Sequence, residues 1–156
     1  MSQIWKKFVE EHVNSELEQE QLLEAELVEE QEKPKPVQSL FQQRGRWVQG
    51  YYAMTKEGED LRGAKDQSEA VKFCLIGGIE HQYHKKQQQE AAKKRVVAAI
   101  CKYAPDFVKK YYNYDDEGAK LPKLKDIDPE DIIPEFNDNP STKLKDIKAI
   151  VELAKV

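Results

Sequence analysis

Two thiols, a pair of histidines and a short Asn-Asp run are the side chains of this 156-residue sequence with the types that chemistry requires. Cys74 could act as a nucleophile if a base removed its proton. His81 lies seven residues further on, one helical face away, and Asn137 or Asp138 could orient it. The opposing reading makes Cys74 a small apolar side chain in a core helix, as free cysteines usually are. A helix opened near Asp66 places Cys74 about two turns from its start, beyond the reach of the dipole that lowers a thiol pKa. The core thiol is favoured, and an enzyme using Cys74, His81 and Asp138 stands as the alternative.

Glu80-His81-x-x-His84 presents imidazoles at i and i+3. A tetrahedral site needs further ligands, from Cys74 or from the Asp115–Glu117 run, and neither spacing is a recognised one. Gln82, Lys85 and Lys86 surround the pair, which reads as a solvated helix end. No metal and no cofactor is therefore expected. Phe136-Asn137-Asp138-Asn139-Pro140 could form an active-site loop, but Asn and Asp also cap turns by bonding nearby amides. Lys109, Lys110, Tyr111, Tyr112 and Tyr114 interleave cations with rings, a texture that can bind single strands. The Asp115-Asp116-Glu117 run follows at once and cancels that field. Gly77-Gly78 in mid-helix costs roughly 1 kcal/mol each against Ala. Close approach of another helix, or of the segment Trp47–Met54, would explain the pair better than a ligand.

The elements that must position these residues are mostly helical. Residues 37–44 predict a short helix with Val37, Leu40 and Phe41 on one face and Gly45 as its C-cap. Trp47–Met54 is aromatic and β-branched, the best strand candidate, and it needs a hairpin partner or a helix layer to lie on. Asp66 and Glu69 form a capping-box pattern. The helix they open carries Ala70, Val71, Phe73, Cys74, Leu75, Ile76 and Ile79, apolar nearly all round and expected at the centre of the core. A break is expected near His84–Gln89, then a helix over Gln87–Tyr103 burying Val96, Val97, Ile100 and Cys101. Pro105 ends it, Asp106–Tyr114 makes another short helix, and Asp115–Ile127 reads as a loop. Asp128 and Pro129 open a helical turn that Pro134 should stop. Ser141 or Thr142 caps a last helix with the stripe Leu144, Ile147, Ile150, Val151 and Ala154. The fold class expected is mainly α: a compact helical domain over residues 37–156 with one short strand or hairpin.

Residues 1–33 differ in kind. Ile4, Trp5, Phe8, Val9 and Val13 fall at three- and four-residue spacing, one apolar stripe of an amphipathic helix. From Glu10 to Glu32 there are ten Glu and no Lys or Arg. Residues 1–45 carry five Lys and Arg against ten Asp and Glu, whereas residues 46–156 carry 20 against 19, so the net charge of −4 arises in the N-terminal third. Lys33-Pro34-Lys35-Pro36 ends the arm, with 34–36 as linker. The stripe predicts that Trp5, Phe8, Val9 and Val13 pack on protein, in this chain or across a two-fold axis in a homodimer. The negative charge disfavours nucleic acid as a partner. No run approaches the ~20 apolar residues of a membrane span. Absence of a secretory pattern and of a disulfide framework places the chain in the cytoplasm as an expectation.

Three blocks together carry a family likeness: Gly45-Arg46-Trp47-Val48-Gln49-Gly50, Ala70-Val71-Lys72-Phe73-Cys74-Leu75-Ile76-Gly77-Gly78, and Phe136-Asn137-Asp138 before a terminal helix. Their order resembles a family of small uncharacterised bacterial and phage domains. That pattern has a Trp-x-x-Gly segment, an aromatic-Cys-x-x-Gly-small helix and an aromatic-Asn-Asp turn. The likeness covers roughly Val37–Val156 and not the arm. Phe73 and Phe136 stand where the family has Trp, and Gly78 where it has Ala. The resemblance implies a fold and no chemistry. The reading favoured overall is a non-catalytic interaction or regulatory module docking through its acidic arm. A Cys74 enzyme and an anionic mimic of nucleic acid are its rivals.

Overall fold

The computed structural model describes residues 36–64, 66–112 and 120–156, which belong to one compact unit, Lys35–Val156. The arm, with Trp5, Phe8, Val9 and Val13, lies outside the described residues, as do 34–35 of the linker and Asp115–Glu117. Six α-helices and one two-stranded antiparallel hairpin make the described part mainly α. They are α1 (Pro36–Gln42), β1 (Ala53–Thr55), β2 (Ala70–Phe73), α2 (Leu75–Gln82), α3 (Lys86–Tyr103), α4 (Pro105–Tyr111), α5 (Pro129–Asp138) and α6 (Leu144–Ala154). A 3-10 turn at Leu124–Asp126 interrupts the expected loop before α5.

The central element is α3, which packs against α2, α4, α5 and α6. Its Ala, Gln, Lys, Glu and Arg residues favour helix intrinsically. Ala92, Val96, Val97, Ala99 and Ile100 are buried, and Cys101 is half-buried. The sequence assigned that central place to the helix before it, which is shorter than expected. Leu75, Ile76 and Ile79 are buried as the pattern requires, but Ala70–Phe73 is strand β2 rather than helix. Asp66 does not cap α2; its Oδ1 accepts from Ser68 N within a local turn. The override is tertiary. Phe73 N donates to Arg46 O at 2.7 Å and Val48 N to Phe73 O at 3.1 Å on one edge, while β1 pairs on the other. A strand with partners on both edges has no amides left for a helical ladder.

The Trp47–Met54 segment is extended in two pieces rather than one strand. Trp47 makes an isolated parallel bridge to Phe73, and only Ala53–Thr55 forms β1. Gly50 between them has φ 77°, where a side chain would be strained, and it redirects the chain. The break in the long helical region falls at Tyr83–Lys85. Asp128 caps α5 by accepting from Glu130 N at 2.9 Å, with Pro129 in the first turn. Pro134 does not stop that helix, which continues to Asp138. Phe136 and Asn137 are buried, and their packing and bonds hold the turn that the missing Pro134 amide weakens. Neither Ser141 nor Thr142 caps α6: Lys143 is the N-cap residue, and Asp146 Oδ2 reaches back to Lys143 N at 2.7 Å.

Gly77 and Gly78 are the third and fourth residues of the eight-residue α2, and both mark close approaches. A Cβ on Gly77 would sit 2.4 Å from Tyr52 O, and one on Gly78 2.6 Å from the Phe41 ring. The expected helix and the expected Trp47–Met54 segment are thus both the neighbours. Gly77→Ala is expected to lower stability by about 1–3 kcal/mol through overpacking, despite the better helix propensity of Ala. Gly78→Ala should cost less, because a ring can tilt and a carbonyl that already accepts Cys74 N at 3.1 Å cannot. Thermal unfolding of the two variants checks the order.

Candidate functional site

The three blocks that carried the family likeness meet in space, and Asn137 is where they join. Its side chain is fully buried. Oδ1 accepts from Trp47 Nε1 at 2.8 Å and from Leu75 N at 3.0 Å. Nδ2 donates to Val48 O at 3.1 Å and to Asp138 Oδ1 at 2.7 Å. One amide therefore ties the Trp47 segment, the start of α2 and the end of α5. Gln49 adds a second tie: its Nε2 lies within 2.9 to 3.2 Å of the carbonyl oxygens of Asn137, Asn139 and Thr142. Gly50 N donates to Asp138 Oδ1 at 2.8 Å. Among the described residues no buried side-chain nitrogen or oxygen lacks a partner. An amide with every valence filled by protein holds structure together and has no lone pair left to orient a base.

Cys74 is the N-cap of α2, with extended backbone (φ −71°, ψ 174°), and its Sγ accepts from Gly77 N at 3.3 Å. This corrects its placement deep inside a helix. Burial pushes the thiol pKa up, Asp138 and Glu80 push it the same way, and the Gly77 and Ile76 amides oppose them without prevailing. The helix start is present, yet desolvation outweighs it.

Cys74 and Asp138 do converge, on an open cleft of about 420 Å³ that Tyr51, Tyr52, Arg62, Gly63, Gln67, Ile76 and Pro134 also line. His81 is not brought to it. Its ring stacks on Phe73, centroids 4.3 Å apart at 26°, outside that lining. Burial lowers its pKa, and the charges of His84 and Arg46 lower it further. Cys74 sits before the helix, where the 3.6-residue period does not apply, so the i+7 spacing does not put His81 on its face. Among the described residues no three His, Cys, Asp or Glu are grouped as a metal site. Phe107, Tyr111 and Tyr112 pack against the core, so those rings are partly used there.

Native Cys74 is expected to react with iodoacetamide more slowly than half-buried Cys101, and to become reactive only on unfolding. Cys74→Ser should keep the cap, whereas Cys74→Ala should lose about 1 kcal/mol. Peptide mapping of the alkylated protein and urea unfolding read these out.

A charged cluster escaped the sequence reading. Lys93 Nζ, only 8% exposed in its side chain, bonds Glu80 Oε1 and Glu130 Oε1 at 2.6 Å each, and Tyr52 Oη donates to Glu80 Oε2. Burial tends to raise the Glu80 pKa, but the bonds from Lys93 and Tyr52 and the lysine charge bring it below the usual carboxylate value. Burial alone would lower the Lys93 pKa; the two carboxylates raise it instead. Burial and Glu80 hold the Tyr52 phenol protonated far above its ordinary range. One signal was available: Lys93, Val96, Val97 and Ile100 share an i, i+3, i+4, i+7 face, so a lysine occupies the apolar stripe of α3.

A small, mainly helical domain in which Asn137 ties the Trp47 segment, the start of α2 and the end of α5 is what this geometry defines. The chain belongs to DUF6197, a family of unknown function whose family model matches residues 38–155. The likeness seen in the sequence to a domain family without assigned activity therefore holds. No curated protein and no solved structure matches the chain. Among the described residues no helix is long and apolar enough to cross a membrane.

Proposed function

We propose that this chain is a non-catalytic protein-interaction module of the cytoplasm, docking onto a protein partner or a second copy of itself through its acidic N-terminal segment. The observation that supports it most is the use of Cys74 as a helix cap, its thiol held protonated and His81 stacked elsewhere. Asn137 is likewise consumed by the fold. The strongest unmet demand then lies in the sequence of the arm. Fully burying side chains the size of Trp5, Phe8 and Val9 is worth ~1.5–3 kcal/mol each, while repulsion among helical Glu neighbours costs tenths per pair and is screened by salt.

Light scattering on the full chain and on a Trp5→Glu, Phe8→Glu variant tests the reading. The expected result is a wild-type mass above one 18.1 kDa chain, falling to that mass in the variant. Equal masses for the two proteins, together with an identical set of proteins retained by each from cell extract, would contradict it.

A further inference from the structure

We propose that the Tyr51–Asp138 cleft binds a small zwitterion with an apolar body, of the class of a free aromatic α-amino acid. All of its lining residues belong to the unit Lys35–Val156, and its binding does not depend on the docking reading. Its volume of about 420 Å³ falls in the ~300–1,000 Å³ range of small-molecule sites. Tyr51, Tyr52, Ile76 and Pro134 supply apolar and aromatic wall, and Tyr51 is 43% exposed.

Two opposite charges stand in that wall. Arg62 Nη2 donates to Gly50 O at 3.1 Å, and Gly50 N donates to Asp138 Oδ1 at 2.8 Å. Both charged groups are thus pinned to the two ends of one residue, near enough for one small molecule to reach both. They do not pair with each other, and neither forms an ion pair with any other described residue. Asp138 Oδ1 takes two hydrogen bonds from protein, whereas Oδ2 takes none among the described residues. Among the described residues Arg62 uses only Nη2 of its guanidinium, leaving Nε and Nη1 as donors.

A ligand ammonium suits the free carboxylate oxygen, and a ligand carboxylate suits the remaining guanidinium donors. An apolar group between them would lie on the tyrosine and proline faces. A purely anionic ligand would meet Asp138, and a purely cationic one Arg62. The half-buried Gln67 adds an amide to the same wall, with no side-chain bond of its own to described residues.

Calorimetric titration of the full chain with L-phenylalanine, 3-phenylpropionate and 2-phenylethylamine tests this. L-Phenylalanine is expected to bind at least about tenfold more tightly than either analogue, since each lacks one charge-assisted hydrogen bond. Arg62→Met should reduce the affinity for L-phenylalanine to that for 2-phenylethylamine, with an unchanged melting temperature because Arg62 is exposed. Tyr51→Ala should weaken all three ligands. Equal affinities, no binding of L-phenylalanine, or wild-type affinity in Arg62→Met would overturn the proposal.

Discussion

Asn137→Ala is expected to destabilise the domain by about 3–5 kcal/mol, since each buried group left without a partner costs about 1–3 kcal/mol. The substitution strands the Trp47 indole N–H, the Leu75 amide and the Val48 carbonyl together. Partial entry of water keeps the total below the simple sum. Against a domain stability of about 5–15 kcal/mol, that loss is a large fraction. Asn137→Asp should fail as well: its oxygens can accept from Trp47 and Leu75 but cannot donate to Val48 O, and they add charge beside Asp138. Urea unfolding followed by tryptophan fluorescence measures both. A loss below about 1 kcal/mol for Asn137→Ala would mean that these bonds hold little.

The second large effect is expected at Lys93. Removing one partner of a buried ion pair leaves the other charge uncompensated, at about 3–5 kcal/mol where burial is complete. Glu80 keeps the Tyr52 bond and 30% exposure, and Glu130 is 59% exposed, so Lys93→Met should cost about 2–3 kcal/mol. Adding Glu80→Gln should recover part of that, because a neutral amide still accepts from Tyr52. The pH dependence distinguishes charge from packing. The lowered Glu80 pKa contributes stability that is present above its unfolded value and is lost as pH falls through the lower folded value. The raised Lys93 pKa contributes below the ordinary lysine value and is lost only as pH rises through the raised one. Urea unfolding near pH 7 and near pH 4 should therefore show an acid loss in the wild type that flattens in Lys93→Met. Parallel acid losses in the two proteins would assign the lysine to packing alone.

Much of the fold could be read from local pattern because burial follows the helical period. The faces of Val37–Phe41, Val96–Ile100 and Ile147–Val151 follow from i+3 and i+4 spacing. The errors cluster where partners distant in sequence decide. Ala70–Phe73 has a helix-compatible composition, but Arg46, Val48 and β1 take its backbone groups. Pro134 reads as a stop until Asn137 is seen anchored to Trp47, 90 positions away. The candidate site was legible as types and order, not as roles. Trp47, Gln49, Gly50, Cys74, Asn137 and Asp138 were all marked by the motif blocks, but a polar residue that caps and one that reacts look alike in sequence. Cys74 shows why: as an N-cap rather than a mid-helix residue it accepts a backbone amide, burial raises its thiol pKa, and no helical phase relates it to His81.

If the motif residues serve to tie the fold together, Trp47 and Asn137 act as a unit, and a double-mutant cycle of Trp47→Phe and Asn137→Ala measures that directly by equilibrium unfolding. Trp47→Phe removes the indole N–H that Asn137 Oδ1 accepts at 2.8 Å and keeps an aromatic ring in place. A coupling energy of about 1 kcal/mol or more is expected, with the double variant less destabilised than the two single losses together. Additive losses, agreeing within about 0.3–0.5 kcal/mol, would contradict the account and return Asn137 to the residues available for chemistry.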